Sequence, residues 1–264
     1  MSLKSFWICN NRALQDIEDR LIFVRTEYIM AFTCKTQKEI MEYCSKHLPR
    51  DSWYAKEFNF IQDDQLRKRI IQEFKATRFA YKLYEGIAAE DENLIFEVRN
   101  QILAYASIYE AIIENVLTTY YQNTKEYDDL MHHTIPVEIG IPAEKKEKLK
   151  KELEHDGKKI VPFYYKRRKK DKSHVRFEDK CETAKKLGII HCFTNNEGVY
   201  INLPEEIKEI YSFRNGIHLI AEQRKGIQYE LGLSKKAYRR MNPFVAQIKE
   251  KLIEDRVYNS NQSR

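Results

Sequence analysis

The sequence predicts an all-α fold, and three observations support this class. Glycine and proline together account for 14 of the 264 residues, about 5%, whereas average usage is roughly 12%. Long segments without either residue carry apolar side chains at three- and four-residue spacing, the period of an amphipathic helix. Hydrophobic residues at 42% and charged residues at 33% are typical of a folded chain whose helices expose charged faces, and they argue against disorder.

The length allows one large domain or two small ones. We predict an N-terminal helical region over residues 1–60 and an antiparallel helical bundle over residues 61–258, with an insertion over residues 124–174. Residues 259–264 are expected to form a frayed tail. Three prolines, at positions 136, 142 and 162, break the helical pattern of the insertion.

The N-terminal region is predicted to contain two helices. Apolar residues recur at helical spacing through residues 11–31 and predict the first helix. Thr36 and Glu39 have the spacing of a capping box, which predicts a second helix over residues 37–47. We expect residues 48–52, which include Pro49, to form a loop.

Two long helices are predicted for the first half of the bundle. One covers residues 64–89, with Gly86 weakening its end. The other covers residues 93–121, has no glycine or proline and has the broadest apolar face of the chain, so we expect it at the centre of the core. Within it, Glu110 and Glu114 lie one turn apart. They either face solvent or, if buried, require a partner.

The second half of the bundle is predicted from its end signals. Gly188 should end a helix over residues 176–187, and residues 195–198 should form a turn. Pro204 should open a helix over residues 204–222. The last helix should cover residues 234–256 and kink or break at Pro243.

The positive charge of the chain is concentrated in the insertion. Residues 144–172 contain 13 Lys or Arg and six Asp or Glu, a net charge of +7, although the whole chain carries +6. Such a local field favours binding of a polyanion or attraction to a charged surface. A charged helix and loop that simply face solvent are the alternative.

Within this insertion, a run of aromatic residues is followed directly by a run of basic residues. The candidate RNA-binding residues are Tyr164, Tyr165, Lys166, Arg167, Arg168, Lys169 and Lys170. Aromatic rings stack on bases and cations neutralise phosphates, so the combination suits a single-stranded nucleic acid. An edge strand followed by a solvated loop would explain the same pattern.

The composition also bears on compartment, membrane and metal. Five cysteines without a CxxC pair predict reduced thiols and a cytoplasmic protein. Arg25 and Glu27 interrupt the most apolar N-terminal stretch, so we expect no membrane span. The metal-capable side chains within residues 128–133 lack a fixed scaffold, because the adjacent histidines point in different directions. We therefore predict no metal and no cofactor.

The sharpest motif is Arg-Asn-Gly-Ile-His over residues 214–218. In the helix predicted over residues 204–222, Arg214 and His218 would stack on one face with Asn215 beside them. A glycine in the middle of a helix costs about 1 kcal/mol relative to alanine, and such departures from local preference are expected at functional sites. The alternative is a surface arginine and an ordinary interfacial histidine.

Three segments of the chain resemble the HEPN superfamily. They are ASIYEA at residues 106–111, LGII at residues 187–190 and YSFRNGIHL at residues 211–219. The resemblance extends over residues 93–121 and 176–253. It implies an α-helical bundle, frequent homodimers and metal-independent RNA cleavage, often in toxin–antitoxin or antiphage systems.

The resemblance also implies roles for individual residues. Arg214 and His218 match the family's arginine and histidine, Asn215 matches the asparagine that often follows the arginine, and Glu110 is our choice for the polar residue of the first core helix. Three residues separate Arg214 from His218, whereas the family commonly has four to six. By this resemblance His218 would accept the proton of a ribose 2′-hydroxyl while Arg214 stabilises the phosphate.

The sequence thus leads to two functional hypotheses. The first is a metal-independent RNA endonuclease of HEPN type that acts as a homodimer, with a possible antitoxin or regulatory protein as partner. The second is a catalytically inactive HEPN-like module that binds RNA, a nucleotide or a protein.

Overall fold

The computed structural model describes residues 32–152, 154–155, 158–159, 163–216, 226 and 229–258. The helix predicted over residues 11–31 and the tail predicted over residues 259–264 lie outside the described residues, as does His218.

The described residues are mostly helical, which confirms the all-α class. The helices are α1 (Cys34–Lys46), α2 (Asp51–Glu57), α3 (Asp64–Gly86), α4 (Asp91–Tyr120), α5 (Lys125–Leu130), α6 (Ala143–Glu152), α7 (Phe177–Lys186), α8 (Leu203–Arg214) and α9 (Leu231–Glu254). Three antiparallel strand pairs accompany them: β1 (His132–Glu138) with β4 (Phe163–Lys169), β2 (Glu154–His155) with β3 (Lys158–Lys159), and β5 (Phe193–Thr194) with β6 (Tyr200–Ile201).

Helix α4 lies at the centre of the core, as its apolar face predicts. It packs against α3, α7, α8 and α9, and its buried residues run from Glu97 to Leu117. Tyr109 is fully buried in its middle, where the hydroxyl donates to the carbonyl oxygen of Ala237 at 2.7 Å. The Tyr109 ring also meets Phe244 of α9 edge to face, with centroids 4.9 Å apart. α4 and α9 are therefore joined by both packing and a buried hydrogen bond.

The beginning of the described chain differs from the prediction in two respects. Thr33, not Thr36, caps α1, because the Thr33 side chain accepts from the backbone N–H of Thr36 at 3.3 Å. The loop prediction for residues 48–52 is wrong from Asp51, where α2 begins. Seven residues are too few to show a helical period, and burial of Tyr54 in the core favours the helix.

Aromatic residues of this segment belong to the core of the bundle. Tyr54, Phe58 and Phe60 lie in the same buried cluster as the side chains of α4. The ring of Phe58 meets that of Phe74 from α3 at a centroid distance of 5.8 Å, in an edge-to-face arrangement. Residues 54–60, assigned from sequence to the N-terminal region, thus help to form the bundle core.

The end of α3 uses alanine where glycine is usual. Ala88 has φ 49°, its N–H donates to the carbonyl of Glu85, and the N–H of Ala89 donates to that of Tyr84. These bonds form a Schellman motif with Ala88 in the left-handed position. Gly86 lies two residues before Ala88, and a Cβ on Gly86 would be only 2.7 Å from the Tyr43 ring. Gly86 therefore permits close approach of α1 to α3.

Two predictions about the C-terminal helices are wrong. Helix α8 ends at Arg214, with Asn215 as its cap, so the described part does not continue helically through Gly216. The N–H of Gly216 instead donates to Phe213 at 3.0 Å, in a tightened turn. Helix α9 begins at Leu231 and continues through Pro243, so the predicted break is wrong, whereas the kink stays a prediction. Burial of Phe244 and Val245 next to this proline holds the helix together despite the missing hydrogen bond.

The insertion over residues 124–174 is built around the β1 and β4 pair. Seven residue pairs connect them, from His132 opposite Lys169 to Glu138 opposite Phe163. The edge-strand alternative is confirmed for Phe163–Lys169, but the cations up to Lys169 belong to the strand and not to a following loop. The segment rich in lysine and glutamate that begins at Ala143 forms α6, which ends at Glu152.

Within the described ranges, none of the helices has both the length and the apolar character needed to cross a bilayer. Cys34, Cys44, Cys181 and Cys192 are free thiols. Burial raises the pKa of the Cys44 thiol.

We expect Ala88→Gly to stabilise the protein by about 0.5–1 kcal/mol. Removal of the Cβ relieves the left-handed strain, and this gain exceeds the extra entropy of glycine in the unfolded chain. Urea unfolding monitored by circular dichroism would measure the difference. Ala89→Gly is the matched control and should lower stability, because Ala89 has no positive φ. Equal destabilisation by both substitutions would contradict the strain at Ala88.

Candidate functional site

Glu110 and Arg214, chosen from the sequence as candidate site residues, contact each other in the fold. Glu110 lies in the middle of α4 and Arg214 is the last residue of α8. Arg214 Nη1 donates to Glu110 Oε2 in an ion pair. The hydroxyl of Tyr211, one turn before Arg214, donates to Glu110 Oε1 at 3.0 Å. Both oxygens of one carboxylate therefore hold the end of α8 against α4.

This arrangement, the Glu110–Tyr211–Arg214 cluster, is only partly open to solvent. The side chains of Glu110 and Arg214 are 28% and 33% exposed. The ring of Phe177, at the start of α7, stacks on Tyr211 with centroids 4.1 Å apart. Arg214 lies over the Tyr211 ring at 5.3 Å. Partial burial strengthens the ion pair relative to one in water and restricts the direction of the guanidinium.

Tyr211 acts as a hydrogen-bond donor in this cluster over the whole physiological pH range. Its pKa is raised to about 12, chiefly by burial and also by the negative charge of Glu110 and the hydrogen bond to it, while Arg214 opposes the increase. A protonated Tyr211 keeps its hydrogen on Glu110. The carboxylate thus receives donors from two side chains of the same helix end.

Asn215 follows Arg214 in the sequence motif but does not extend α8. Asn215 is exposed, and its backbone N–H donates to Tyr211 at 3.4 Å. Because α8 ends at Arg214, the helical stacking of Arg214 with His218 predicted from the sequence is not formed by the described residues. His218 itself lies outside the described residues. Asparagine and glycine are weak helix formers, which accounts for the end of α8 at this point.

Glu114, one turn after Glu110, also has a partner. Its Oε2 lies 2.7 Å from Nζ of Lys180 on α7, whose side chain is only 11% exposed. The sequence left open whether Glu110 and Glu114 face solvent or are paired. Both are paired, although Glu114 remains about half exposed. The pair connects α7 to α4 beside the Glu110–Tyr211–Arg214 cluster.

The candidate RNA-binding residues lie on an exposed strand. Every residue of β4 is exposed. Because side chains of a strand alternate between faces, Tyr165, Arg167 and Lys169 lie on one face, and Tyr164, Lys166 and Arg168 on the other. Lys170 follows the strand, and its N–H donates to the carbonyl of Met131 at 2.7 Å. The basic and aromatic run is thus divided between two faces.

Arg167 already has acidic partners. Its Nη2 lies 2.6 Å from Asp128 Oδ2 and 2.9 Å from Asp129 Oδ1. These ion pairs attach β4 to α5 and reduce the charge that Arg167 offers to a ligand. Asp128 also contacts His132 Nδ1 at 3.0 Å. Among the residues that the structure describes, no three side chains of metal-binding type form a group that could hold an ion.

A cleft of about 520 Å³ lies between the β1 and β4 pair and the start of α7. It is lined by Ile135, by the basic residues His133, Arg168, Lys169, Lys170, His174 and Arg176, and by the acidic residues Asp171 and Asp179. Asp171 accepts from the backbone and hydroxyl of Ser173, each at 3.0 Å. Asp179 lies 4.0 Å from Lys170. We name this feature the basic cleft.

Three basic residues of the cleft, His133, His174 and Arg176, were not among the candidates from sequence. His174 and Arg176 follow the basic run closely, so their positions in the chain could have included them. His133 could not have been found in this way, because it reaches the cleft by pairing with Arg168 across the two strands. Strand register is a tertiary property that the charge pattern does not encode.

The basic cleft and the Glu110–Tyr211–Arg214 cluster meet at the start of α7. Arg176 lines the cleft and immediately precedes Phe177, whose ring stacks on Tyr211. The cleft and the cluster are thus connected through two consecutive residues at the start of α7.

Comparison with known proteins yields no relative: no family model, curated protein or solved structure matches the chain. The HEPN resemblance therefore rests on the sequence segments that carry it.

We expect Glu110→Gln to lower the pKa of Tyr211 from about 12. The amide removes the negative charge that disfavours the phenolate, while burial keeps the pKa above its ordinary value. A pH titration of tyrosine Cζ by ¹³C NMR, with the signal assigned through Tyr211→Phe, would measure the change. Glu114→Gln, one turn away, is the control and should leave Tyr211 unaltered. An unchanged titration in Glu110→Gln would contradict the geometry of the cluster.

Proposed function

We propose that this protein is a metal-independent RNA endonuclease of HEPN type that acts in the cytoplasm, in a defence or toxin-like role. The observation that carries the proposal is the contact between Glu110 and Arg214. A partly buried carboxylate fixes the guanidinium at the end of α8, four residues before His218. Such positioning is expected for a cation that must meet a phosphate in one orientation.

The proposed reaction is an internal transesterification. His218 accepts the proton of a ribose 2′-hydroxyl, whose oxygen attacks the adjacent phosphorus. The bond to the 5′-oxygen breaks, this oxygen takes a proton from water, and His218 returns its proton to the solvent. The products are a 2′,3′-cyclic phosphate and a 5′-hydroxyl. Proton transfer by a positioned histidine contributes roughly 10²- to 10⁴-fold in rate.

Arg214 stabilises the charge that develops on the phosphate in this proposal. A guanidinium has five N–H donors in a rigid plane, and Glu110 uses a donor on Nη1. Among the described residues, no side chain or carbonyl accepts from Nε or Nη2, so these donors can serve phosphate oxygens. Glu110 and Tyr211 are positioning residues, since Glu110 binds Arg214 and Tyr211 donates to the other oxygen of the same carboxylate.

The RNA path in this proposal runs from β4 through the basic cleft to Arg214. Arg168 and Arg176 are exposed cations of the cleft, and neither has an ion-pair partner among the described residues. They can contact phosphates, while Tyr164 and Tyr165, both exposed, offer rings for stacking on bases. The proposal includes a homodimer in which two such motifs approach each other, and an antitoxin or regulatory partner is compatible with it.

A second candidate is an HEPN-like module that binds RNA without cleaving it. The end of α8 at Arg214 favours this candidate, because the helical geometry that would stack His218 on Arg214 is absent from the described residues. The ion pair with Glu110 also neutralises part of the Arg214 charge. The basic cleft supports RNA binding under either candidate.

The cleavage test uses a mixed-sequence RNA with the purified full chain in EDTA. We expect products with cyclic phosphate ends, and we expect His218→Ala and Arg214→Ala to lower the rate at least about 100-fold. His191→Ala is the matched control, because the His191 hydrogen bonds to Gln247 use only its backbone. Light scattering of the same preparation should give a dimer.

Two results would overturn the nuclease proposal. One is cleavage that persists in His218→Ala, and the other is the absence of cleavage by the wild-type dimer although it binds the RNA. The second result would support the binding module.

RNA binding by the basic cleft is tested through its salt dependence. We expect Arg168→Gln with Arg176→Gln to weaken binding to a single-stranded RNA and to make the slope of log K against log salt less steep by about 0.7 per lost phosphate contact. The measurement is fluorescence anisotropy between 50 and roughly 200 mM salt. Lys145→Gln with Lys148→Gln removes the same charge from α6, where both residues are exposed. Equal effects of the two double substitutions would contradict a specific role of the cleft.

A further inference from the structure

A second group of cations surrounds a pocket on the α3, α4 and α9 side of the bundle. The pocket has a volume of about 190 Å³ and lies between residues of these three helices. Its basic residues are Arg78, Lys82, Lys235 and Arg239. None of the residues of the Glu110–Tyr211–Arg214 cluster or of the basic cleft lines it. Gln101, which does line it, precedes Glu110 by nine residues, about 14 Å along α4.

Most of this positive charge is not neutralised by the protein. Lys82 pairs with Glu85 at 2.5 Å. Among the described residues, Arg78, Lys235 and Arg239 have no acidic side chain within ion-pair distance. Three cations that converge on one small pocket repel each other, and an anion between them would relieve this repulsion.

Two tyrosine rings hold the innermost cation. The guanidinium of Arg78 lies 3.7 Å from the ring centroid of Tyr238 and 5.2 Å from that of Tyr81. Its Nε is buried and has no hydrogen-bond partner among the described residues. The stacking fixes the plane of the guanidinium, so that its donors have a defined direction before any ligand arrives.

The base of the pocket is built from buried polar groups. Ser234 and Gln101 are 1% and 2% exposed. The Ser234 hydroxyl donates to Gln101 Oε1, and Gln101 Nε2 donates to Glu97 Oε1 at 2.8 Å. An amide nitrogen carries two hydrogens, so one hydrogen of Gln101 remains after Glu97 has been satisfied. Buried polar groups that line a cavity are typical of a binding site, because they have lost contact with bulk water.

A second cavity of different character adjoins this pocket. Its volume is about 230 Å³, and it shares Tyr81, Gln101 and Lys235 with the first. The remaining wall is formed mainly by apolar and aromatic residues such as Tyr84, Leu94 and Leu231. It also includes Glu85, which pairs with Lys82, and Glu97, which accepts from Gln101. One compartment therefore offers cations and the other offers apolar and aromatic surface, a combination that suits a ligand with a charged end and a ring.

We infer that the two cavities bind a small phosphate monoester, with its phosphate among Arg78, Lys235 and Arg239 and its ring or other carbon portion against Tyr84, Leu94 and Leu231. A phosphate accepts several charge-assisted hydrogen bonds at once, which a carboxylate does less fully. This site is independent of the proposed nuclease activity, and its occupant is a free small molecule.

The test is isothermal titration calorimetry of the full chain with AMP, inorganic phosphate and adenosine. We expect AMP to bind at least tenfold more tightly than adenosine, because adenosine lacks the charge that the cations recognise. AMP should also bind more tightly than inorganic phosphate, because phosphate alone leaves the apolar compartment empty.

The variant Lys235→Gln with Arg239→Gln should weaken AMP binding at least tenfold. Both residues are exposed on α9, so the fold should be retained, and thermal unfolding would verify this. Lys68→Gln with Arg69→Gln removes the same charge from exposed positions of α3 and should leave the affinity within a factor of two.

Three results would overturn the inference. They are equal affinities for AMP and adenosine, equal losses in the two double variants, and no heat of binding for AMP at millimolar concentration. A 5′-phosphorylated RNA that binds through Lys235 and Arg239 when AMP does not would assign these cations to a nucleic acid and would likewise overturn the small-molecule site.

Discussion

The structure depends on the burial of α4 among four other helices. The buried part of α4 has lost contact with water, so its buried polar side chains require hydrogen-bond partners within the protein. Glu97 and Gln101 form a chain of hydrogen bonds to Ser234 of α9, Tyr109 bonds to Ala237, and Glu110 holds the end of α8. These contacts fix α8 and α9 relative to the central helix more specifically than apolar packing alone.

The same requirement places the chemically active groups of the protein. Glu110 is satisfied by Tyr211 and Arg214, and this contact presents a guanidinium at the surface in a defined direction. At the other end of α4, the chain from Glu97 to Ser234 forms the base of a pocket surrounded by cations. Polar residues of α4 thus lie at the base of two separate candidate sites. Gln101 belongs to one and Glu110 to the other, nine residues apart on the same helix.

The insertion contributes most of the net positive charge, and Leu130 and Met131 link it to the core. Every residue of β4 is exposed, and Arg167 of this strand pairs with Asp128 and Asp129 of α5 within the same insertion. The start of α7 connects this surface to the core, because Arg176 lines the basic cleft and Phe177 stacks on Tyr211. An exposed, basic strand pair next to a rigid bundle is suited to a flexible polyanion, which needs a field and stacking surfaces more than a preformed cavity.

The sequence by itself determined the helical class, the central position of α4, the helix end at Gly188 and the segment that carries the positive charge. These features follow from the spacing of apolar residues, from the positions of glycine and proline, and from composition, all of which are local properties of the sequence. It also singled out Glu110 and Arg214, although only the fold shows that they are in contact across 104 residues. The tertiary structure alone decided the helix at Asp51–Glu57 and the pairing of His133 with Arg168. Each of these depends on contacts between distant segments, and burial and strand register there outweigh the preferences of the local sequence.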